Sequence, residues 1–197
     1  RSQLLEIWRR LKKNKVAVVG LVILGVLLCV AIFADVIVDY DLGIRQNMAI
    51  KLQKPSAEHW LGTDAYGRDL FARIVHGSRI SLSIGFIAVL VSLLIGGAIG
   101  SIAGYYGGKA DIVIMRFVDI LMAIPNTLLG ISIVAALGPS IRNLIIAIAI
   151  GSISAYARIT RVSVLSVKDT EYVEAAYATG ASDARIIWKY VLPNCLA

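Results

Sequence analysis

The chain has 197 residues, of which 58% are hydrophobic and 17% charged, with a mean hydropathy of +0.77. No soluble core needs so much apolar side chain, so the composition excludes an ordinary soluble domain and points to an integral membrane protein. The net charge of +7 would suit nucleic acid, but the basic residues gather at the edges of apolar runs without interleaved aromatic platforms, so anionic membrane lipid is the better partner.

Arg9, Arg10, Lys12, Lys13 and Lys15 precede the first apolar run and mark that end as cytoplasmic. Leu4, Ile7, Trp8 and Leu11 recur at helical spacing among them, so residues 1–15 are expected as an amphipathic helix on the lipid surface or as a frayed basic tail. Residues 16–38 form the first span, with Asp35 its one charge. The run is too long for a signal-peptide core and lacks a convincing cleavage site, so it is read as an anchored helix.

Residues 39–79 are expected as an extracytoplasmic loop. His59, Asp64, Asp69 and His76 invite a metal site, but their spacing fits neither a calcium loop nor a zinc pair, and turn and cap roles are favoured. Leu70, Phe71, Ile74 and Val75 suggest an interfacial helix that feeds the second span, residues 80–106. Ser92, Gly96, Gly100, Gly104 and Gly108 then repeat every four residues, a stripe read as a helix-packing face first and a translocation surface second.

The cytoplasmic loop 107–111 tests for an ATPase. Gly104 to Lys109 lacks the spacing of a phosphate-binding loop, and Ala110 brings no hydroxyl for magnesium. The third span is expected at 112–137, with Arg116 and Asp119 able to pair along one face and Arg116 acting as an entry anchor. Pro125 falls mid-span and predicts a kink, which makes Pro125 and Asn126 hinge or path-lining candidates, or simply a kink whose freed backbone is satisfied elsewhere. An outer turn at 138–140 leads to the fourth span at 141–159. Cys29 and Cys195 are read as apolar fillers. No His-rich, paired-acid or Ser/His/Asp cluster suggests a membrane enzyme.

Four crossings return residues 160–197 to the side of the basic N-terminus, with Arg158, Arg161 and Lys168 beside them. This stretch carries Glu171, Glu174, Asp183, Arg185 and Lys189, each costing about 2.5–3.5 kcal/mol at a bilayer centre, so it lies outside the hydrocarbon. Asp169 or Thr170 is placed to cap a helix, Gly180 to close it, Ser182 or Asp183 to cap a second helix, and Leu192-Pro193 to end that one. By this physics the stretch is either an amphipathic connector or a partner-docking element.

Glu174, Ala175, Ala176, Gly180, Leu192 and Pro193 match the EAA loop that this segment resembles, that of the membrane subunits of bacterial ABC importers, with Tyr190 where the pattern has isoleucine. The opening LLEIWRRLKKNKVAVVGLVIL and the stretch HWLGTDAYGRDLFARIVHGSRISLSIG extend the resemblance to the second permease of the oligopeptide, dipeptide and nickel group. The apolar runs make this an all-α polytopic membrane protein with four spans here, and the family pattern the segment resembles has six, so a longer permease is expected. The resemblance also implies a coupling helix at residues 169–179, seated on a cytoplasmic ATPase. It further implies a second permease, an extracytoplasmic substrate-binding protein, a place in the bacterial cytoplasmic membrane, and ATP and magnesium held by the partner chains, with no cofactor on this one. Peptide transport is the leading function implied, nickel transport within the same group the next, and a passive channel or structural membrane protein the alternative outside it.

Overall fold

A computed structural model of the protein describes residues 11–195, so most of the expected amphipathic segment lies outside the described residues. Among the described residues the regular structure is helical, apart from one bridge between Thr63 and Asp69. The chain divides at Ser83 and Ile84 into two compact units.

In the first unit, α1 (Lys15–Ile32) starts at Asn14, whose side-chain oxygen accepts from the Val16 and Ala17 N–H groups at 3.1 and 3.3 Å. Two otherwise orphaned donors are satisfied. The helix stops at Phe33, and the short α2 (Ala34–Ile37) and α3 (Tyr40–Ile44) follow. Arg79 gathers the carbonyls at that break: Nε donates to Ala31 O, Nη2 donates to Ile32 O at 2.9 Å, and Nη1 lies 2.8 Å from Asp35. His76 Nε2 donates to Val38 O at 2.9 Å.

The loop beyond α3 is organised by two aspartates. Asp64 accepts from the backbone N–H groups of Tyr66 and Arg68 at 2.8 and 3.0 Å and from the Arg68 and Arg73 guanidinium groups at 2.8 and 2.5 Å. Burial pushes its carboxyl up, but the Arg68 and Tyr66 bonds and the Arg68 charge outweigh that and hold it well below the usual carboxylate range. Asp69 accepts from the Ala72 N–H at 2.8 Å, capping the next helix, and lies 2.8 Å from His59 Nδ1. These side chains serve turns and a helix cap. With Asp69 as cap, α4 runs unbroken over Leu70–Tyr106, 37 residues, so the interfacial helix and second span expected separately are one helix.

In the second unit, α5 (Gly108–Ala123) and α6 (Asn126–Leu137) are the two halves of the third expected span, bent by 83°. Proline explains the break: Ile124 is forced extended, at φ −84° and ψ 123°, and Pro125 offers no N–H to carry the helix on. The sequence predicts a kink; the structure has a full change of direction. Then α7 (Ile141–Val167) is continuous for 27 residues, and Ser140 caps it by accepting from the Asn143 N–H at 3.1 Å. The cytoplasmic-facing segment expected after it holds α8 (Glu171–Ala178), α9 (Asp183–Arg185), a π-helical turn over Ile186–Val191 and α10 (Leu192–Cys195).

By length and composition α1, α4 and α7 can each cross a membrane, and the bent α5–α6 pair makes a fourth candidate. The chain is an all-α polytopic membrane protein. Large apolar side chains remain exposed along all three long helices, among them Val22, Phe86 and Ile159, as a lipid solvent permits.

Three local expectations are corrected. Gly108 is not the last step of the stripe on α4, because Gly107 takes φ +60° and ends the helix, leaving Gly108 to open α5 with no atom near an added Cβ. Asp119 does not pair with Arg116 one turn away; its Oδ1 accepts from Arg158 Nη2 on α7 at 2.8 Å. Pro193 does not terminate the last helix. The preceding turn widens to the π form, with the Leu192 N–H reaching Ile187 O, and this wider turn relieves the clash a proline ring makes with the carbonyl four residues back.

Candidate coupling surface and its helical base

Four of the EAA-like residues, Glu174, Ala175, Ala176 and Gly180, form a short helix closed by its glycine, and Leu192 and Pro193 stand on α10. Thr170 takes the cap position of α8, but its hydroxyl donates back to Val167 O at 2.7 Å, so no side chain caps the helix. Glu171 and Glu174 in the first turn complement the positive end of the helix dipole instead. At the other end the Ala181 N–H donates to Ala176 O at 3.2 Å and the Gly180 N–H to Tyr177 O at 2.9 Å. With Gly180 at φ +80°, these bonds make a Schellman motif, in which the left-handed residue turns the chain away and satisfies the last carbonyls. Ser182 likewise stands at the cap of α9 without a side-chain bond.

Val173 and Ala176 on the inner face of α8 pack with Val164, Ile186 and Val191 in one buried cluster. Full burial of an aliphatic side chain this size stabilises by about 1.5–3 kcal/mol from water, and three of the five are at 0% exposure. Glu174, Ala175, Gly180 and Pro193 stay exposed and Leu192 is half-buried. A cavity of about 280 Å³ opens beside Glu174, lined also by Tyr105, Lys168, Asp169 and Tyr177. Tyr105 donates its hydroxyl to Asp183 Oδ1 at 3.1 Å, tying the end of α4 to the start of α9.

Below this surface the small-residue stripe of α4 meets α7. A Cβ added to Gly96 would lie 2.6 Å from Ile153 O, at Gly100 2.2 Å from Ala157 O, and at Gly104 2.9 Å from Val164 Cβ. Ser92 Oγ sits within 2.6 Å of Ala88 O and 3.0 Å of Ala149 O. The facing positions on α7 also repeat about every four residues, so backbone meets backbone along the row. Next to it Arg161 makes a forked contact with Asp111 of α5, Nε to Oδ1 and Nη2 to Oδ2, both at 2.5 Å. Farther along, the Asn126 side chain faces Gly151, where an added Cβ would be 3.1 Å from Asn126 Oδ1. Pro125 is exposed.

Val164 is the residue at which the two regions join. It abuts Gly104 in the stripe and is fully buried beneath α8. Sequence reasoning missed it, as it missed Ile186 and Val191, whose five-residue separation follows the π turn rather than a 3.6-residue period.

Residues 96–197 match the family described as binding-protein-dependent transport system inner membrane component, and residues 2–55 match the N-terminal TM domain of oligopeptide transport permease C. The chain belongs to this transport family. It is 47% identical over 192 residues to the dipeptide transport system permease protein DppC of Alkalihalophilus pseudofirmus, covering 98% of this chain and 63% of that protein. The glutathione transport system permease protein GsiD of Pectobacterium atrosepticum is 41% identical, covering 98% of this chain and 64% of the relative. The oligopeptide permease OppC of Bacillus subtilis is 40% identical with the same two shares. The chain thus spans just under two thirds of the length of these curated relatives. Of the six EAA-like residues, Glu174, Ala175 and Ala176 lie on α8, Gly180 in its closing turn and Leu192 and Pro193 on α10, and the stripe forms the contact between α4 and α7.

Proposed function

We propose that this chain belongs to the transmembrane permease subunit of an ATP-driven importer of di- and oligopeptides. The observation that carries the reading is α8, a helix closed by a Schellman turn at Gly180 whose inner face is buried on Val164 while Glu174 and Ala175 stay outside. A partner seated on that outer face would move α7 through Val164, and the stripe would carry α4 along with it. The relatives named for dipeptide, oligopeptide and glutathione transport support a peptide cargo. In this reading cytoplasmic ATPase subunits bind ATP and magnesium and close on α8, a second permease completes the path, and an extracytoplasmic binding protein delivers substrate. With the bent α5–α6 pair counted as one crossing, four crossings separate the N-terminus from α8, and this reading puts both on the cytoplasmic side, with Arg158, Arg161 and Lys168 beside α8 in support. Alternating access follows from rocking of packed helix pairs rather than from bond chemistry on this chain.

The test is mass spectrometry of what co-purifies with the intact chain from its native membrane, beside a Glu174→Ala, Gly180→Leu variant. ATPase chains and a second permease are expected with the parent, and the ATPases are expected to be lost from the variant. A parent that emerges alone from several mild detergents overturns the reading in favour of a channel or structural membrane protein.

A further inference from the structure

Two arginines one turn apart on α7 are used in opposite ways. Arg161 is closed off, because Nε and Nη2 both donate to Asp111 and the two side chains are largely buried. Arg158 uses a single N–H, from Nη2 to Asp119 Oδ1 at 2.8 Å, and this pair is 47% and 48% exposed. Arg116, one turn back from Asp119 on α5, is exposed and forms no ion pair among the described residues. The open pair thus belongs to a group of two cations and one anion. A guanidinium carries five N–H donors, so most of the donors in the group are unused.

The group lies within the spans. Arg158 is about 14 Å from the Val167 end of α7, and Asp119 about 16 Å from the Gly108 end of α5, at ~1.5 Å per residue. A charge that faces acyl chains at such a depth is costly, so ions inside a span turn to the protein interior or to a water-filled cavity. The helix break follows about 7 Å farther along α5, and Ile124 and Pro125 are both exposed there. Backbone freed from a helix at membrane depth is likewise confined to buried or water-lined places, and these residues are not buried. The open ion pair and the open break both call for water or a polar solute along α5.

We propose that Arg158 and Arg116 bind the carboxylate of a peptide in transit, with Asp119 holding Arg158 in place between solutes. The site rests on the peptide-importer reading above, which supplies a solute with a free carboxylate. Guanidinium and carboxylate fit each other through two parallel N–H bonds, and Arg158 has unused N–H groups to offer. The group is net positive, so it takes the carboxylate end of a peptide rather than the ammonium end. Asp119 then competes for the same arginine. That competition keeps the site weak, as a path that must release its solute requires.

The test is thiol labelling of an Asp119→Cys variant in the intact membrane assembly, read as mass added at that position by peptide mass spectrometry. The anionic sulfonatoethyl methanethiosulfonate is expected to react at least about fivefold faster than the cationic trimethylammonioethyl reagent. Alanylalanine should slow the reaction, and its C-terminal amide should not. Adding Arg158→Gln should remove both the preference and the protection, while Arg158→Lys should keep the preference. Ala155→Cys, exposed one turn from Arg158 on α7, keeps all three charges and should show the same order of rates if Asp119→Cys fails to assemble. A thiol that reacts with neither reagent means that this face is covered by other protein or by lipid, and overturns the proposal. Equal rates with the two reagents, or protection by the dipeptide no greater than by its amide, overturn it as well. Labelling needs neither ATP nor ATPase chains. A parent that emerges without ATPases defeats the importer reading, whereas an unreactive or unselective thiol in an assembly that keeps them defeats this site alone.

Discussion

Glycine does two different jobs in the two joined regions of the second unit. In the stripe, Gly96, Gly100 and Gly104 have ordinary helical backbones and are required by what stands opposite, since a Cβ would enter the neighbouring backbone or side chain. At Gly180 there is open space around the Cβ position, and the requirement is φ +80°. The first kind of glycine makes a joint stiff, because two helices in backbone contact cannot slide without separating. The second makes a turn definite while leaving its outer surface free. A rigid base under an accessible helix is what transmission of a push needs, and Val164 lies where one becomes the other.

The largest effect should come from Gly100→Ala. One methyl group placed 2.2 Å from Ala157 O and 3.0 Å from Arg161 N has only backbone to displace, so destabilisation of about 3 kcal/mol is expected. Gly97→Ala is the control on the same helix, because the nearest atom to its added Cβ is Thr160 Oγ1 at 4.0 Å. It should be neutral or stabilise by about 0.5–1 kcal/mol through helix propensity. Thermal midpoints of the two variants in one detergent would separate them, and equal losses would mean that the stripe is not a close-contact joint.

Next in size is Asp111→Asn. Arg161 of α7, whose backbone faces the stripe, also forks onto Asp111, with side chains only 29% and 15% exposed, and loss of that charged acceptor should cost about 2 kcal/mol. The Asp119–Arg158 pair is about half exposed on both sides and singly bonded, so Asp119→Asn should cost well under ~1 kcal/mol. The same thermal series measures both. If the two are equal, the stiffness of the base does not depend on the forked pair.

The sequence carried the parts of this arrangement that obey a short period. Apolar length gave three candidate spans, α1, α4 and α7, the four-residue repeat of Ser92, Gly96, Gly100 and Gly104 gave the face that meets α7, and Gly180 was placed where a helix closes. What it did not carry depends on partners far along the chain or on a change of period. Asp119 has Arg116 at a suitable local spacing, yet an arginine 39 residues away competes and wins. Gly108 keeps the arithmetic of the stripe, but Gly107 leaves the helix first. Pro193 looks like a terminator by local rules, and a π turn lets the helix accommodate it. The link through Val164 has no local signature, because a valine in an apolar helix is unremarked until its two neighbours arrive from α4 and α8.

At the turn itself, Gly180→Ala should destabilise by about 1 kcal/mol, the cost of a left-handed conformation for a residue with a Cβ. Gly180→Asn should cost less, since asparagine tolerates that region. The order glycine, asparagine, alanine distinguishes a conformational requirement from a steric one. Were asparagine, the larger side chain, worse than alanine, the free space around Gly180 would have to be filled in the working assembly, by the seated partner itself.

The smallest effect tests where the energy of the stripe resides. Ser92 heads the row and its hydroxyl lies 3.0 Å from Ala149 O across the helix pair, but it also lies 2.6 Å from Ala88 O on its own helix. One proton serves two carbonyls, and the nearer is local, so little of the bond strength crosses between helices. Ser92→Ala keeps the small side chain and the backbone approach and removes only the hydroxyl. A loss of about 0.6 kcal/mol is expected, the usual size of a hydrogen bond between membrane helices. A loss approaching that of Gly100→Ala would make the joint a polar clasp, able to exchange one carbonyl for the other and so to slip by a step. A small loss leaves the glycine contacts holding the pair, and a pair held by backbone contact moves as one body when α8 is displaced.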